Sequence, residues 1–153
     1  MMGPPMGGGG YGGGPSGPRP TRRNPIMVTL LPYAVMVGGN VLGGILAGVI
    51  DPSLALVGSL FSLVGMVLLI ISLWKMLGEL KAVTNDPDFN PWFIIVPCLN
   101  IYFIAVKLPE QVNKAKQMTG CQVPGRGVLY IVSLFFSPLL PWALASDLND
   151  MAG

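Results

Sequence analysis

Four apolar runs organise the chain. They cover residues 27–50, 54–74, 92–106 and 128–146, and none contains a charged side chain. The first two hold 24 and 21 residues, enough for helices across roughly 30 Å of hydrocarbon. Only Asp51-Pro52-Ser53 separates them. Asp is a good N-cap and Pro suits the first helical position. The pattern therefore predicts two transmembrane helices in a tight antiparallel hairpin, and an all-α membrane protein.

The first run is rich in small residues. Gly39 with Gly43, and Gly44 with Gly48, fall at spacing four, and Ala47 extends the first pair. The second run offers Gly58, Ser62 and Gly65 on one side. In an apolar helix this spacing lets backbones approach closely, so these residues are expected to form a helix-packing face, between the two helices or between two copies of the chain. Asn40 is expected to hydrogen-bond between helices. The second helix leaves the bilayer at Trp74-Lys75, an aromatic anchor followed by an ammonium that can snorkel outward.

The third run, Trp92 to Val106, has 15 residues, about 22 Å as straight helix and short for a crossing. Pro97 removes a helical hydrogen bond and disfavours helix at the residue before it, and Asn100 is expected to cap a second half-helix. Broken helices at membrane depth need protein or water to satisfy the freed backbone, which makes Asn40, Pro97 and Asn100 the candidate intramembrane polar site. The fourth run has 19 residues with Pro138 and Pro141 in its second half; a kinked crossing is expected, with a hairpin as the alternative. Between the last two runs, Leu108, Val112, Ala115 and Met118 form one stripe of an amphipathic helix over residues 108–118, ended by Gly120, with Glu110 and Lys114 at the favourable i,i+4 spacing. That stripe suits either the membrane surface or the protein's own helices.

Charge placement bears on the topology. The nine basic residues are Arg19, Arg22 and Arg23 before the first run, Lys75 and Lys81 after the second, and Lys107, Lys114, Lys116 and Arg126 between the third and fourth. With a cytoplasmic N-terminus and four crossings, five lie inside and four outside; with a re-entrant third run, all nine lie inside. The positive-inside rule prefers the second arrangement, with four crossings as the alternative. Arg22, Arg23, Trp74, Lys75, Trp92 and Lys107 are then the interface anchors.

Composition agrees with a membrane protein. The chain has 153 residues, 52% hydrophobic and 10% charged, against about 25% charged in a soluble domain. Fifteen of residues 1–25 are Gly or Pro, so this stretch is expected to be a disordered tail, with residues 26–153 as the helical membrane domain. Its arginines fix orientation or attract anionic lipid. A net charge of +2 offers no electrostatic case for nucleic acid. There is no His, so the commonest general base and metal ligand is missing. Asp86, Asp88 and Asn90 have calcium-loop spacing, but Pro91 stands where Gly is required and Pro97 where the bidentate Glu belongs. No metal, no cofactor and no enzyme activity are expected. Cys98 and Cys121 are read as ordinary thiols.

Three segment ends share a pattern: LGELKAV at 77–83, LPEQVNKA at 108–115 and LASDLNDMA at 144–152 each place a small residue or Pro ahead of an acid. Duplicated membrane-exit elements would produce this echo. Ile101-Tyr102 after a broken apolar run, then a basic amphipathic helix, then a last apolar run ending in Leu148-Asn149, resembles a family of small bacterial membrane proteins known as a domain of unknown function. That family carries a Gly-Ile-Tyr box and a terminal Leu-Asn pair. Asn100 stands in place of its Gly, and Phe103-Ile104 departs from its Gly-rich, Trp-containing pattern. The resemblance covers about residues 67–152 and implies a bacterial cytoplasmic membrane, with no known chemistry. The function expected is a multi-pass membrane scaffold or accessory subunit, held by the lipid bilayer and by another membrane protein or a second copy. The alternative is a passive channel or neutral-solute pathway through the broken third run.

Overall fold

The structure is a computed structural model that describes residues 17–153. Residues 1–16, most of the expected disordered tail, lie outside the described residues. The described chain is helical, with no strand among those residues.

Helix α1 spans Pro25–Val49 and α2 spans Ala55–Thr84. Asn24 starts α1: its side-chain oxygen accepts from the backbone N–H of Ile26 at 3.0 Å and Met27 at 3.3 Å, with Pro25 in the first position, where a missing N–H costs nothing. Asp51 does the same for the 3-10 turn Pro52–Leu54 that leads into α2, accepting from Ser53 at 2.8 Å. Asn85, in the left-handed region at φ 46°, ends α2. Both long helices are apolar enough to cross a membrane.

The two helices run antiparallel, with their backbones in contact at glycines. A Cβ on Gly43 would lie 2.5 Å from Gly58 Cα, and one on Gly65 would lie 2.7 Å from the Pro32 carbonyl. Gly39 meets the side chain of Phe61. This close approach covers little else. In α1 the buried residues are Thr29, Pro32, Gly39 and Gly43, and before Met76 the buried residues of α2 are Gly58 and Gly65.

The core lies at the other end of the pair. There the last turns of α2, through Met76, Leu77, Leu80 and Val83, pack on α4 (Leu108–Met118) and α6 (Leu139–Met151). The stripe of α4 explains this: Leu108, Val112 and Ala115 are fully buried in that core while Met118 is exposed, so most of the stripe faces the protein.

The third and fourth apolar runs share one construction: a short helical turn, a break, then a longer helix. In the third, Asn90 caps a 3-10 turn, Pro91–Ile94. The break follows, with Cys98 at φ 69°. Helix α3 (Leu99–Tyr102) then runs through a π-helical turn, Phe103–Lys107, into α4. Pro109 has no N–H to offer Ala105, and its ring crowds that carbonyl; the widened turn just before it accommodates both. The fourth run begins as α5, Gly127–Val132, breaks over residues 133–138, and resumes as α6.

Several expectations are corrected here. The third run is not two half-helices, because its first limb is a single 3-10 turn. Asn100 is not a cap: Cys98 holds that position, and Asn100 lies in the first turn of α3. The fourth run is not one kinked helix, since a break over residues 133–138 separates α5 from α6. Glu110 and Lys114 do not pair; Glu110 lies 3.8 Å from Lys107, and Lys114 bonds Asp86 at 3.0 Å. Arg23 and Asn24, expected in the disordered tail, dock on α2 and α6 or cap α1.

Candidate functional site: a charged layer below two broken apolar segments

The charged layer begins where α1 begins. Arg23 forms an ion pair with Glu79 of α2. Its backbone N–H donates to Asn149 Oδ1 at 2.7 Å, and its carbonyl accepts from Asn149 Nδ2. Asn149 thus grips both polar groups of one peptide residue, as a neighbouring strand would. On the far side, Asp86 accepts from Gln111 at 2.7 Å and Lys114 at 3.0 Å, which ties the α2–α3 connection to α4. Those two donors, with the Asp88 backbone N–H, hold the Asp86 carboxyl down at about 2.

The centre of the layer is a buried cluster. Lys116 is 3% exposed and Asp147 is 0% exposed. The Lys116 ammonium donates to Asp147 Oδ1 at 2.8 Å, Asp150 Oδ2 at 3.1 Å and the Pro124 carbonyl at 3.2 Å. Arg126 donates to the same two carboxylate oxygens, each at 2.7 Å. The second oxygen of Asp147 accepts from Tyr130 Oη at 2.7 Å and from the Arg126 backbone N–H at 3.3 Å. Burial alone would raise the Asp150 carboxyl; hydrogen bonds from Arg126 and Lys116 outweigh it and hold the group below the ordinary carboxylate range.

This arrangement is chemically closed. An ammonium has three donors and a carboxylate about four acceptor sites, and the contacts above occupy all of them on Lys116 and Asp147. Two cations meet two anions, so no net charge is buried. Such a cluster clamps α6, α4 and the intervening loop together. Among the described residues no group of three His, Cys, Asp or Glu is arranged to hold a metal.

The residues singled out from sequence are spread over several places. Gly39, Gly43, Gly58 and Gly65 lie in the α1–α2 contact, and Ser62 Oγ is 3.5 Å from the Met36 carbonyl across it. Gly44 and Gly48 do not belong to that face, because a Cβ at either would meet nothing within 4 Å; Ala47 is half-buried. Asn40 is exposed and donates to the Met36 carbonyl of its own helix at 2.9 Å, so it makes no hydrogen bond between helices. Pro97 is exposed in the break. Asn100 instead lines a cavity of about 280 Å³ between the broken runs, together with Leu73, Ile94, Ser133 and Ser137. The Trp74 and Trp92 rings meet edge to face, 4.6 Å between centroids. Lys75 and Arg22 are exposed, and Lys107 is half-exposed.

Sequence reasoning missed the Lys116–Arg126–Asp147–Asp150 cluster and the grip of Asn149. One signal was available. Asp147 and Asp150 are three apart, hence on one face of a helix that begins in an apolar run. No family model, no curated protein and no solved structure matches this chain.

Proposed function

We propose that this chain is an integral membrane scaffold or accessory subunit. Helices α1 and α2 cross the bilayer as a hairpin, and the third and fourth apolar runs enter and leave a single leaflet. The observation that carries this reading is the gathering of charge at one end. Arg23 meets Glu79 and Asn149, Lys114 meets Asp86, and Lys116 and Arg126 meet Asp147 and Asp150. Basic residues of the first and third stretches thus meet in one layer, and the segment that carries Lys75 and Lys81 supplies the acids Glu79 and, just beyond it, Asp86. The opposite connection carries Asp51 and no basic residue. A cytoplasmic N-terminus then puts all nine basic residues inside.

Depth agrees. Tyr33 Oη donates to Ser137 Oγ, in the break of the fourth run, at 2.9 Å. Tyr33 follows the Asn24 cap by nine residues, about 13 Å of helix, which is within one leaflet of a hydrocarbon core roughly 30 Å thick. The Trp74–Trp92 contact is then an aromatic anchor at the leaflet's edge. The bare faces of α1 and α2 beyond that depth suit lipid, a partner membrane protein or a second copy. The resemblance to small bacterial membrane proteins belongs with this reading and implies the cytoplasmic membrane.

Cys121 in the α4–α5 loop tests the topology. In intact cells an impermeant thiol reagent is expected to leave it unlabelled, and labelling from outside would sink the one-leaflet arrangement. Co-purification with a stable membrane partner in mild detergent is the expected mark of an accessory subunit. A second reading, a passive conduit for a neutral solute, draws on the cavity lined by Asn100, Ser133 and Ser137. Solute flux in liposomes that is lost in Asn100→Leu would favour it.

A further inference from the structure

The polypeptide is much wider at one end of the helix pair than at the other. Beyond the level of Tyr33 the described residues are those of α1, α2 and their short connection, and the buried ones there are glycines. Below that level two broken runs each pass in and out, adding four short limbs beside the pair. At a helix diameter of about 10 Å, four limbs add roughly 300 Å² of cross-section, all in one leaflet. The limbs present apolar tips outward: Phe135 is 90% exposed and Phe136, Ile95 and Val96 are exposed. The charged layer beneath, clamped by Asp147 and Asn149, holds both limb pairs to α2 and α1 and keeps them from folding away.

We propose that the protein is a bilayer wedge, whose ligand is a convex leaflet on the side of the charged layer. Cross-section added to one leaflet alone fits where the lipids of that leaflet are spread apart, the condition that curvature-sensitive membrane helices also exploit. A leaflet bent outward on that side supplies this spacing; one bent inward removes it. The inference rests on the one-leaflet topology proposed above and assigns that topology a physical use.

The test uses the full chain carrying Cys98→Ser and an N-terminal tag, reconstituted in giant vesicles and labelled from outside at Cys121 with an impermeant dye. A narrow membrane tether is pulled from each vesicle, and the dye is compared with a lipid dye in tether and parent. Externally labelled molecules have the charged layer on the convex face. Their density in the tether is expected to at least double, to rise as the tether thins, and to fall back in Phe135→Ser/Phe136→Ser, whose exposed rings support no core contact. Equal density at every tether radius, or depletion from the tether, overturns the wedge. External protease separates the two levels of the argument. If labelled molecules lose their N-terminal tag and still do not sort, the wedge alone is wrong. If labelled molecules keep the tag, Cys121 and the N-terminus lie on opposite faces and the topology itself is wrong.

Discussion

Replacing Asp147 by Asn changes one heavy atom at a fully enclosed polar site. The carboxylate accepts four hydrogen bonds, from Lys116, Arg126 twice and Tyr130. The amide has one oxygen to accept with, and its NH2 faces groups that are themselves donors. Lys116, 3% exposed, keeps Asp150 but loses its shorter ion pair. Removing one partner of a buried ion pair costs about 3–5 kcal/mol, and Asp147→Asn is expected in that range. Asp150 is less enclosed, with its side chain 22% exposed, and Asp150→Asn is expected to cost about 1–2 kcal/mol. The assay is equilibrium unfolding in mixed micelles with rising dodecyl sulfate, followed by far-UV circular dichroism. Asp147→Leu and Lys116→Met form the two arms of a double-mutant cycle. The pair Asp147→Leu/Lys116→Met removes both charges together and is expected to cost clearly less than the sum of its single changes. An Asp147→Asn cost below about 1 kcal/mol, or strict additivity in the cycle, would refute the clamp.

Other outcomes follow from geometry already described. Gly43→Leu drives a side chain into the Gly58 backbone and is expected to cost at least about 2–3 kcal/mol, whereas Gly44→Leu, facing open space, leaves detergent stability unchanged; equal effects would contradict the contact. Asn149→Ala removes both hydrogen bonds to the Arg23 peptide, about 1–3 kcal/mol, and is expected to speed amide exchange across Thr21–Thr29 ahead of the rest of α1. Folding lowers the Asp86 pKa, so its tie to α4 is intact above the usual 3.8 and is lost as pH falls toward about 2. The Gln111 side-chain amide resonances are expected to titrate below 3.8, and a midpoint above that value would refute the tie.

How much of this was legible in the sequence depended on range. The two long helices and the start of the second follow from local signals, the uncharged runs and Asp51 before Pro52, whereas Asn24, assigned to the tail, starts α1 ahead of the first run. The boundaries of α4 were legible from its stripe and from Gly120. The glycine pairs illustrate a limit. Residues 43 and 44 lie about 100° apart around a helix, so Gly39–Gly43 and Gly44–Gly48 cannot both face α2, and spacing alone does not say which does. The charge cluster was harder still. Lys116 and Asp147 are 31 residues apart, and nothing local marks them as partners. An i,i+4 preference worth a few tenths of a kcal/mol assigned Lys114 to Glu110, and a two-donor site on Asp86 outcompeted it. In the fourth run the absence of charge suggested one continuous kinked helix, while the stretch from Ser133 to Pro138 breaks it.

The grip of Asn149 on Arg23 also sets an order of events during synthesis. The two residues are 126 positions apart, and a ribosome adding about 5–20 residues per second needs roughly 6–25 s to travel between them. By about the middle of that interval α1 and α2 are made and can pair through their glycines, but the peptide at the head of α1 has no side chain to close it. Asp147, needed by Lys116 and Arg126, is equally late. The first two helices are thus left as an unfinished assembly that the last turns of α6 complete. A chain cut short before residue 147 would leave Lys116 and Arg126 without either carboxylate that they meet in the finished fold.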